Sequence, residues 1–206
     1  MTELQLRQKV VDTISAWIGG VQGGVAHKEI LRIYNNHRPL AQGYMVKDTD
    51  AWCMTTVSAA FIKAGLTHLM PTECSCPRAI GLMQKAGIWQ ERDDYRPKPA
   101  DILFYDWQDS GAGDNVGVSD HVGIVEKVVG NTITVIEGNM GGKIGRRTLQ
   151  VNGKNIRGYG CPRYAAEQNT NRDAVQKRFG FDDNTMAYLD KHPYPDALYL
   201  KLATKG

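Results

Sequence analysis

Four cysteines in 206 residues are too few to staple a fold, so this chain must hold itself together through its core. Long apolar runs are missing too. Nothing approaches the roughly 18 residues that a membrane-spanning helix needs, and no membrane insertion is expected. The first residues, Met-Thr-Glu-Leu-Gln-Leu-Arg-Gln-Lys-Val, lack the apolar centre of a signal peptide. Charge of one sign is scarce: 25 lysines and arginines face 22 aspartates and glutamates, a net charge of +3. The basic residues are scattered apart from small groups such as Arg146-Arg147, which argues against a dedicated nucleic-acid surface. Metal-ligand spacing is also absent. Glu73-Cys74-Ser75-Cys76-Pro77, with a distant Cys161 and no paired histidine, is poor spacing for zinc, so neither metal nor cofactor is expected.

Against these absences one cysteine stands out. Asp-Ala-Trp-Cys-Met-Thr-Thr-Val-Ser-Ala-Ala-Phe (residues 50–61) reads as a loop turning into an amphipathic helix. Asp50 is its expected N-cap, Val57, Ala60, Phe61 and Ala64 recur at helical spacing, and Gly65 is the stop. Cys53 then lies in the first turn, beside unpaired backbone N–H groups and the positive end of the helix dipole. Both favour the thiolate, which is the nucleophilic form.

A base and a carboxylate follow downstream. Ser-Asp-His-Val-Gly-Ile-Val-Glu (119–126) opens a strand with His121, and Thr-Ile-Thr-Val-Ile-Glu-Gly-Asn (132–139) closes the next with Glu137. The two strands form a hairpin about Gly130-Asn131, giving nucleophile, base and orienter in one neighbourhood. Register decides whether they meet. A two-residue turn would set Ile124 opposite Glu137 and send His121 and Glu137 to opposite faces. A three-residue bulged loop of Val129, Gly130 and Asn131 would set Gly123 opposite Glu137, making Glu137 a same-face diagonal neighbour of His121. The triad is therefore expected to need the three-residue loop.

Elsewhere, Leu4, Val10, Val11, Ile14, Trp17 and Ile18 make one helical stripe, and 27–35 a second helix with Ile30, Ile33 and Tyr34 inward. Residues 38–50 form a loop, and 77–86 a helix stopped by Gly87. Strands are expected at 101–105, 121–128, 132–137 and 156–159. The loop 106–120, with three glycines and Trp107, should rim a cleft. Helices first and an antiparallel sheet afterwards is an α+β order. In the tail, 171–179, 185–191 and 195–200 read as short helices, the second capped by Asp183 or Asn184. Phe179, Phe181, Met186, Tyr188, Leu189, Tyr194, Leu198 and Leu202 would form their cluster. Two domains are expected: 1–165, catalytic, and 166–206, a small helical appendage that caps it or binds a wall or partner.

Trp52-Cys53, Asp-His-Val-Gly-Ile-Val (120–125) and Ile-Glu-Gly-Asn (136–139) together resemble the CHAP family, the cysteine- and histidine-dependent amidohydrolases/peptidases of the papain-like, NlpC-type group. Pro-Lys-Pro-Ala-Asp-Ile-Leu-Phe-Tyr (97–105) resembles the family's strand entering the barrel, with Ala100 where glycine is common. The resemblance spans roughly 17–164. It implies a nucleophile helix packed on a small antiparallel half-barrel, and a thiol hydrolase cutting peptidoglycan amide bonds, as an amidase or endopeptidase of endolysin or toxin type. Cys53 would be the nucleophile, His121 the general base and acid, Glu137 the orienting carboxylate and Asn139 a further support. Trp52, Tyr44, Trp107 and Asp120 would meet the substrate, Tyr44 as an oxyanion donor. Asp48 and Asp50 resemble aspartates that bind calcium in some members, but the spacing is short and no calcium is expected. Cys74 and Cys76 would be a structural or redox-sensitive pair beside the cleft. Acting at the cell wall without a signal peptide would require a phage holin, a contact-dependent export machinery or a longer parent protein. Two other readings remain: a non-catalytic wall- or partner-binding protein on the same scaffold, and an intracellular papain-like deamidase or transferase.

Overall fold

Gly65 ends the central helix of this protein in the left-handed conformation, with φ of 72°. That helix, α3 (Cys53–Ala64), follows α1 (Glu3–Ser15) and α2 (Val25–Asn36) in the computed structural model, which describes residues 1–92, 94–109, 116–190, 192 and 195–204. The periodic stripes form these helices largely as expected. Val10, Val11 and Ile14 of α1 are buried, as are His27, Ile30, Leu31 and Tyr34 of α2. Leu4 is 72 % exposed, however, and Leu6 takes the inward position. Ile33 is only half-buried.

Helix α3 departs from the amphipathic expectation. All its residues except Ile62 and Lys63 are buried, so it is a core helix clothed on nearly every side. Two of its polar side chains find partners: Thr56 Oγ1 donates to Trp52 O at 2.8 Å, and Ser58 Oγ donates to Glu73 O at 2.6 Å. Asp50 is not its cap. Trp52 occupies the N-cap position without a side-chain bond, and Asp50 Oδ2 instead accepts from Lys47 N and Tyr44 Oη at 2.8 and 2.7 Å. Helix α4 (Cys76–Lys85) starts with Pro77 in its first turn, where a missing N–H costs nothing.

Among the described residues one six-stranded antiparallel sheet follows, built from β1 (Trp89–Gln90), β2 (Ile102–Tyr105), β3 (His121–Val129), β4 (Thr132–Glu137), β5 (Gly145–Gln150) and β6 (Ile156–Gly160). Its spatial order is β1-β6-β2-β3-β4-β5. One face packs Leu103, Tyr105, Val125, Ile133, Val135, Ile156 and Tyr159 into a core cluster. The other approaches the helices: a Cβ on Gly160 would sit 2.5 Å from Met83 Sδ of α4. Helices first and an antiparallel sheet afterwards is the α+β class, as expected.

The hairpin corrects the expected turn. Val129 pairs with Thr132, so Gly130-Asn131 is a two-residue connection. The one-residue shift arises instead at Glu126, where the pairing passes from Lys127↔Thr134 to Val125↔Val135. That bulge, inside β3 rather than at its tip, brings Gly123 opposite Glu137 when the register is continued. Strands β1 and β5 had no counterpart in the sequence reading, because a two-residue bridge and the polar Gly-Arg-Arg-Thr-Leu-Gln carry no apolar alternation.

The chain divides into two compact units, Gln8–Pro162 and Met1–Arg7 with Arg163–Gly206. The second contains α5 (Tyr164–Phe179), α6 (Asp183–Leu189) and α7 (Pro195–Thr204). Asp182, not Asp183 or Asn184, caps α6, its Oδ1 accepting from Thr185 N at 2.7 Å. Val175, Met186 and Tyr199 form the core of this unit, with Phe181, Leu189 and Leu202 packed against it. Phe179 and Tyr188 are exposed, and Tyr194 lies outside the described residues.

Candidate active site

Three elements converge on Cys53, and the backbone explains why. The thiol opens α3, where the first helical bond runs from Thr56 N to Trp52 O. The N–H groups of the turn before it have no intrahelical acceptor and leave a positive, donor-rich pole at the sulfur. His121 opens β3 directly opposite Tyr105 of β2. Glu137 closes β4, fully buried, and reaches His121 across Gly123. Only glycine fits beneath that crossing, since a Cβ on Gly123 would lie 2.8 Å from Glu137 Cγ and 2.5 Å from Val135 Cγ1. Gly138 performs a similar service against α3, where a Cβ would lie 2.0 Å from Thr56 Oγ1.

The Glu137 carboxylate is saturated. Oε2 lies 3.1 Å from His121 Nε2 and accepts from Arg147 Nη2 at 3.2 Å. Oε1 accepts from Tyr105 Oη at 2.5 Å and from Arg147 Nε at 2.8 Å. Arg147 stands opposite Val135 on β5, a diagonal same-face neighbour of Glu137. Its guanidinium also lies over the rings of Trp107 and Tyr105, 5.1 and 5.7 Å from their centroids. Burial would raise the Glu137 pKa, but His121, Arg147 and Tyr105 outweigh it and hold the carboxyl below its ordinary value.

With Nε2 engaged by Glu137, the imidazole's Nδ1 is the nitrogen left to bond the Cys53 thiol. The Cys53 pKa is lowered to about 5, first by a hydrogen bond from Cys76 and then, against the opposing effect of burial, by the bond and charge of His121. Burial alone would lower His121, yet its bonds to Cys53 and Glu137 raise it to about 9. Near neutral pH the resting pair is therefore thiolate and imidazolium. Cys76 Sγ lies 3.8 Å from Cys53 Sγ, and its own pKa is pushed well above the ordinary value, first by that contact.

A family model for the CHAP domain matches residues 45–139, a span that contains Cys53, His121 and Glu137. The matched stretch, 95 of the 206 residues, is similar to a CHAP domain. Two solved structures are also similar to this chain. The crystal structure of Ly7917 with the hydrolyzing product of MDP is 17 % identical, with a TM-score of 0.41 over 76 % of this chain and 62 % of that one. The crystal structure of Ly7917 is 16 % identical, with a TM-score of 0.42 over 80 % and 63 %. The chain thus spans less than two thirds of the length of either. No curated protein matches it.

Around Cys53, His121 and Glu137, the other expected contacts divide. Trp107 is 42 % exposed, stacks on Tyr105 at 4.8 Å and lies 5.9 Å from the His121 ring, so it does face this site. Exposed Asp120 holds it there by accepting from Trp107 N at 2.8 Å. Residues 110–115 of the expected rim lie outside the described residues. Trp52 corrects its expected role: it is fully buried and packs edge-on against His27 at 4.7 Å, a core residue rather than a substrate contact. Tyr44 is exposed, and its hydroxyl proton is already given to Asp50, not held for an oxyanion. Asn139 sits in the turn after β4 with φ of 56°, and it is Glu137 that bonds the imidazole. The expected Cys74–Cys76 pair is replaced by Cys53–Cys76, because Cys74 Sγ turns to Glu73 Oε1 at 3.6 Å. Among the described residues no three His, Cys, Asp or Glu side chains gather as a metal site, and the carboxylate of Asp50 is taken by Lys47 and Tyr44.

Sequence reasoning missed Tyr105 and Arg147; it set Cys76 beside the cleft but paired it with Cys74, and it set Gly123 opposite Glu137 without seeing that only glycine fits there. Tyr105 was hidden in an apolar strand and Arg147 in an unrecognised one. The signal for Gly123 was present, as the residue two beyond His121 on the same face.

These electrostatics predict an order of reactivity. At about pH 6.5, iodoacetamide should alkylate Cys53 before Cys74, whose pKa is raised by burial, and before Cys76. Peptide mapping of briefly treated native protein reads this directly, and equal labelling of all four cysteines would contradict a thiolate at Cys53.

Proposed function

We propose that this chain is a thiol hydrolase of peptidoglycan amide bonds, with Cys53 as nucleophile, His121 as base and acid, and Glu137 as orienting carboxylate. What carries the reading is one constellation inside the stretch that the CHAP model matches: a helix-start thiol, an imidazole that lowers its pKa, and a buried carboxylate on that imidazole's Nε2. The thiolate attacks the carbonyl carbon, and the carbonyl's electron pair moves to oxygen. Backbone N–H groups at the start of α3 face the oxyanion. His121, already an imidazolium, gives its Nδ1 proton to the leaving amine as the C–N bond breaks. Neutral His121 then takes a proton from water, whose oxygen attacks the thioester and releases Cys53. Trp107 and Asp120 are the proposed substrate contacts, and the catalytic unit is Gln8–Pro162. The peptidoglycan lies outside the cytoplasm, so this reading also includes delivery by an export machinery or holin. Among the described residues no helix is long and apolar enough to cross a membrane.

Mass spectrometry of fragments released from purified cell walls tests the reading. New alanine amino termini with intact sugar chains identify an amidase, and new termini within the peptides identify an endopeptidase. Unchanged walls would exclude both.

The pH dependence follows with its sign. The thiolate is present above about 5 and the imidazolium below about 9, so kcat/KM should rise through the first value and fall through the second. Arg147→Met should move the alkaline limb upward. Removing the guanidinium leaves Glu137 less neutralised, and its charge then holds the His121 proton more tightly. An unchanged or lowered alkaline limb would mean that Arg147 is not coupled to the imidazole.

A further inference from the structure

Cys76 has no step in the acyl-transfer chemistry, yet its sulfur is 3.8 Å from that of Cys53. Both residues are buried, at 6 % and 7 % exposure, on the first turns of two different helices. We propose that Cys53 and Cys76 are a modification site: a hydroperoxide converts them to a reversible disulfide, with Cys76 as the resolving thiol.

The surroundings hold the two sulfurs together. Ser58, on the same helix as Cys53, donates to Glu73 O at 2.6 Å and accepts from Glu73 N at 3.1 Å. The Glu73 carboxylate then gathers the segment leading to Cys76, accepting from Cys74 N at 2.8 Å, Gln42 Nε2 at 3.1 Å and Arg78 Nε at 3.1 Å. The segment that leads into Cys76 is thus tied to the helix that bears Cys53. A disulfide needs about 2.05 Å between sulfurs, so the two must approach by roughly 1.8 Å. The other two thiols are turned away, Cys74 toward Glu73 and Cys161 toward Tyr95 Oη at 3.3 Å.

The chemistry balances with hydrogen peroxide as oxidant. The Cys53 thiolate attacks one peroxide oxygen, the S–O bond forms and the O–O bond breaks. The departing hydroxide takes the His121 proton and leaves as water. Cys76 then gives up its thiol proton and attacks the Cys53 sulfur, the S–S bond forms, and the S–O oxygen leaves as a second water. Two thiols are oxidised and one peroxide is reduced. Without a resolving thiol, the sulfenic acid goes on to sulfinic and sulfonic acids, which thiol reductants do not reverse. The disulfide therefore both silences and protects the nucleophile.

The silencing rests on the reading of Cys53 as nucleophile, but the cross-link does not, so the two are measured separately. The full chain is treated with a few equivalents of hydrogen peroxide. Its intact mass should fall by two hydrogens, and non-reducing peptide mapping should join the Cys53 and Cys76 peptides. Dithiothreitol should restore the mass and all of the wall-hydrolysing turnover. In Cys76→Ser and Cys76→Ala, Cys53 should instead gain two or three oxygens, and dithiothreitol should restore nothing. Oxygen addition at wild-type Cys53 without a cross-link, or a cross-link to Cys74 or Cys161, would overturn the proposal. A protein that cross-links as described but never cleaves walls would refute the hydrolase reading and leave the modification site standing.

Discussion

Turnover on purified cell walls should vanish in Cys53→Ala, falling on the order of 10⁶-fold, as when a nucleophile is removed from a three-residue catalytic unit. No neighbouring group can take its place. Cys76 is the closest sulfur, but its pKa is pushed well above the ordinary value and it has no imidazole of its own. Cys53→Ser should be almost as inactive, because a hydroxyl is a far weaker acid than a thiol and the resting ion pair with His121 could not form. A second readout separates this from a merely structural cysteine. The bond and charge of Cys53 are leading reasons for the raised His121 pKa, so in Cys53→Ala the imidazole should titrate well below about 9 by NMR. A His121 that still titrates near 9, or a variant that still clears walls, would place the nucleophile elsewhere.

The residues proposed for this chemistry were more legible in the sequence than the geometry that joins them. A thiol in the first turn of a helix, a histidine opening a strand and a glutamate closing the next could each be named, because helix caps and strand periodicity are local. The register between His121 and Glu137 was not local. The sequence reading recognised that a one-residue shift was required and assigned it to the turn at Gly130-Asn131. The protein makes it at Glu126, where nothing in the run Gly-Ile-Val-Glu-Lys-Val marks a bulge. Burial was the second gap. Trp52 beside Cys53 was expected to meet the substrate, but it fills the space against His27, and the aromatics that do lie beside the imidazole are Tyr105 of β2 and Trp107 just after it. Polar side chains contributed across strands were the third. Arg147 reaches Glu137 through the pairing of β4 with β5, a contact that exists only once the sheet has formed.

Glu137→Gln should lower turnover by about 10³- to 10⁴-fold, more than the loss of an orienting charge would require of an exposed residue. The buried carboxylate accepts from Tyr105 Oη, His121 and two nitrogens of Arg147, which fills the roughly four acceptor positions that two oxygens offer. Glutamine accepts on one oxygen only, and its amide would turn two N–H groups toward donors. Either the His121 proton or the Arg147 guanidinium then loses its acceptor, at a cost of about 1–3 kcal/mol for each buried group left unpaired. The variant should therefore melt at a lower temperature as well as turn over more slowly. Arg147→Met helps to divide the two effects, because it removes one set of donors and leaves the imidazole its carboxylate. Adding Arg147→Met to Glu137→Gln should recover part of the lost stability while restoring little turnover. Combining Glu137→Gln with His121→Ala should add little to the loss from His121→Ala alone, since groups that act as one unit are strongly non-additive. Near-native turnover in Glu137→Gln would show that the orientation of His121 comes from elsewhere, with Asn139 the next residue to replace.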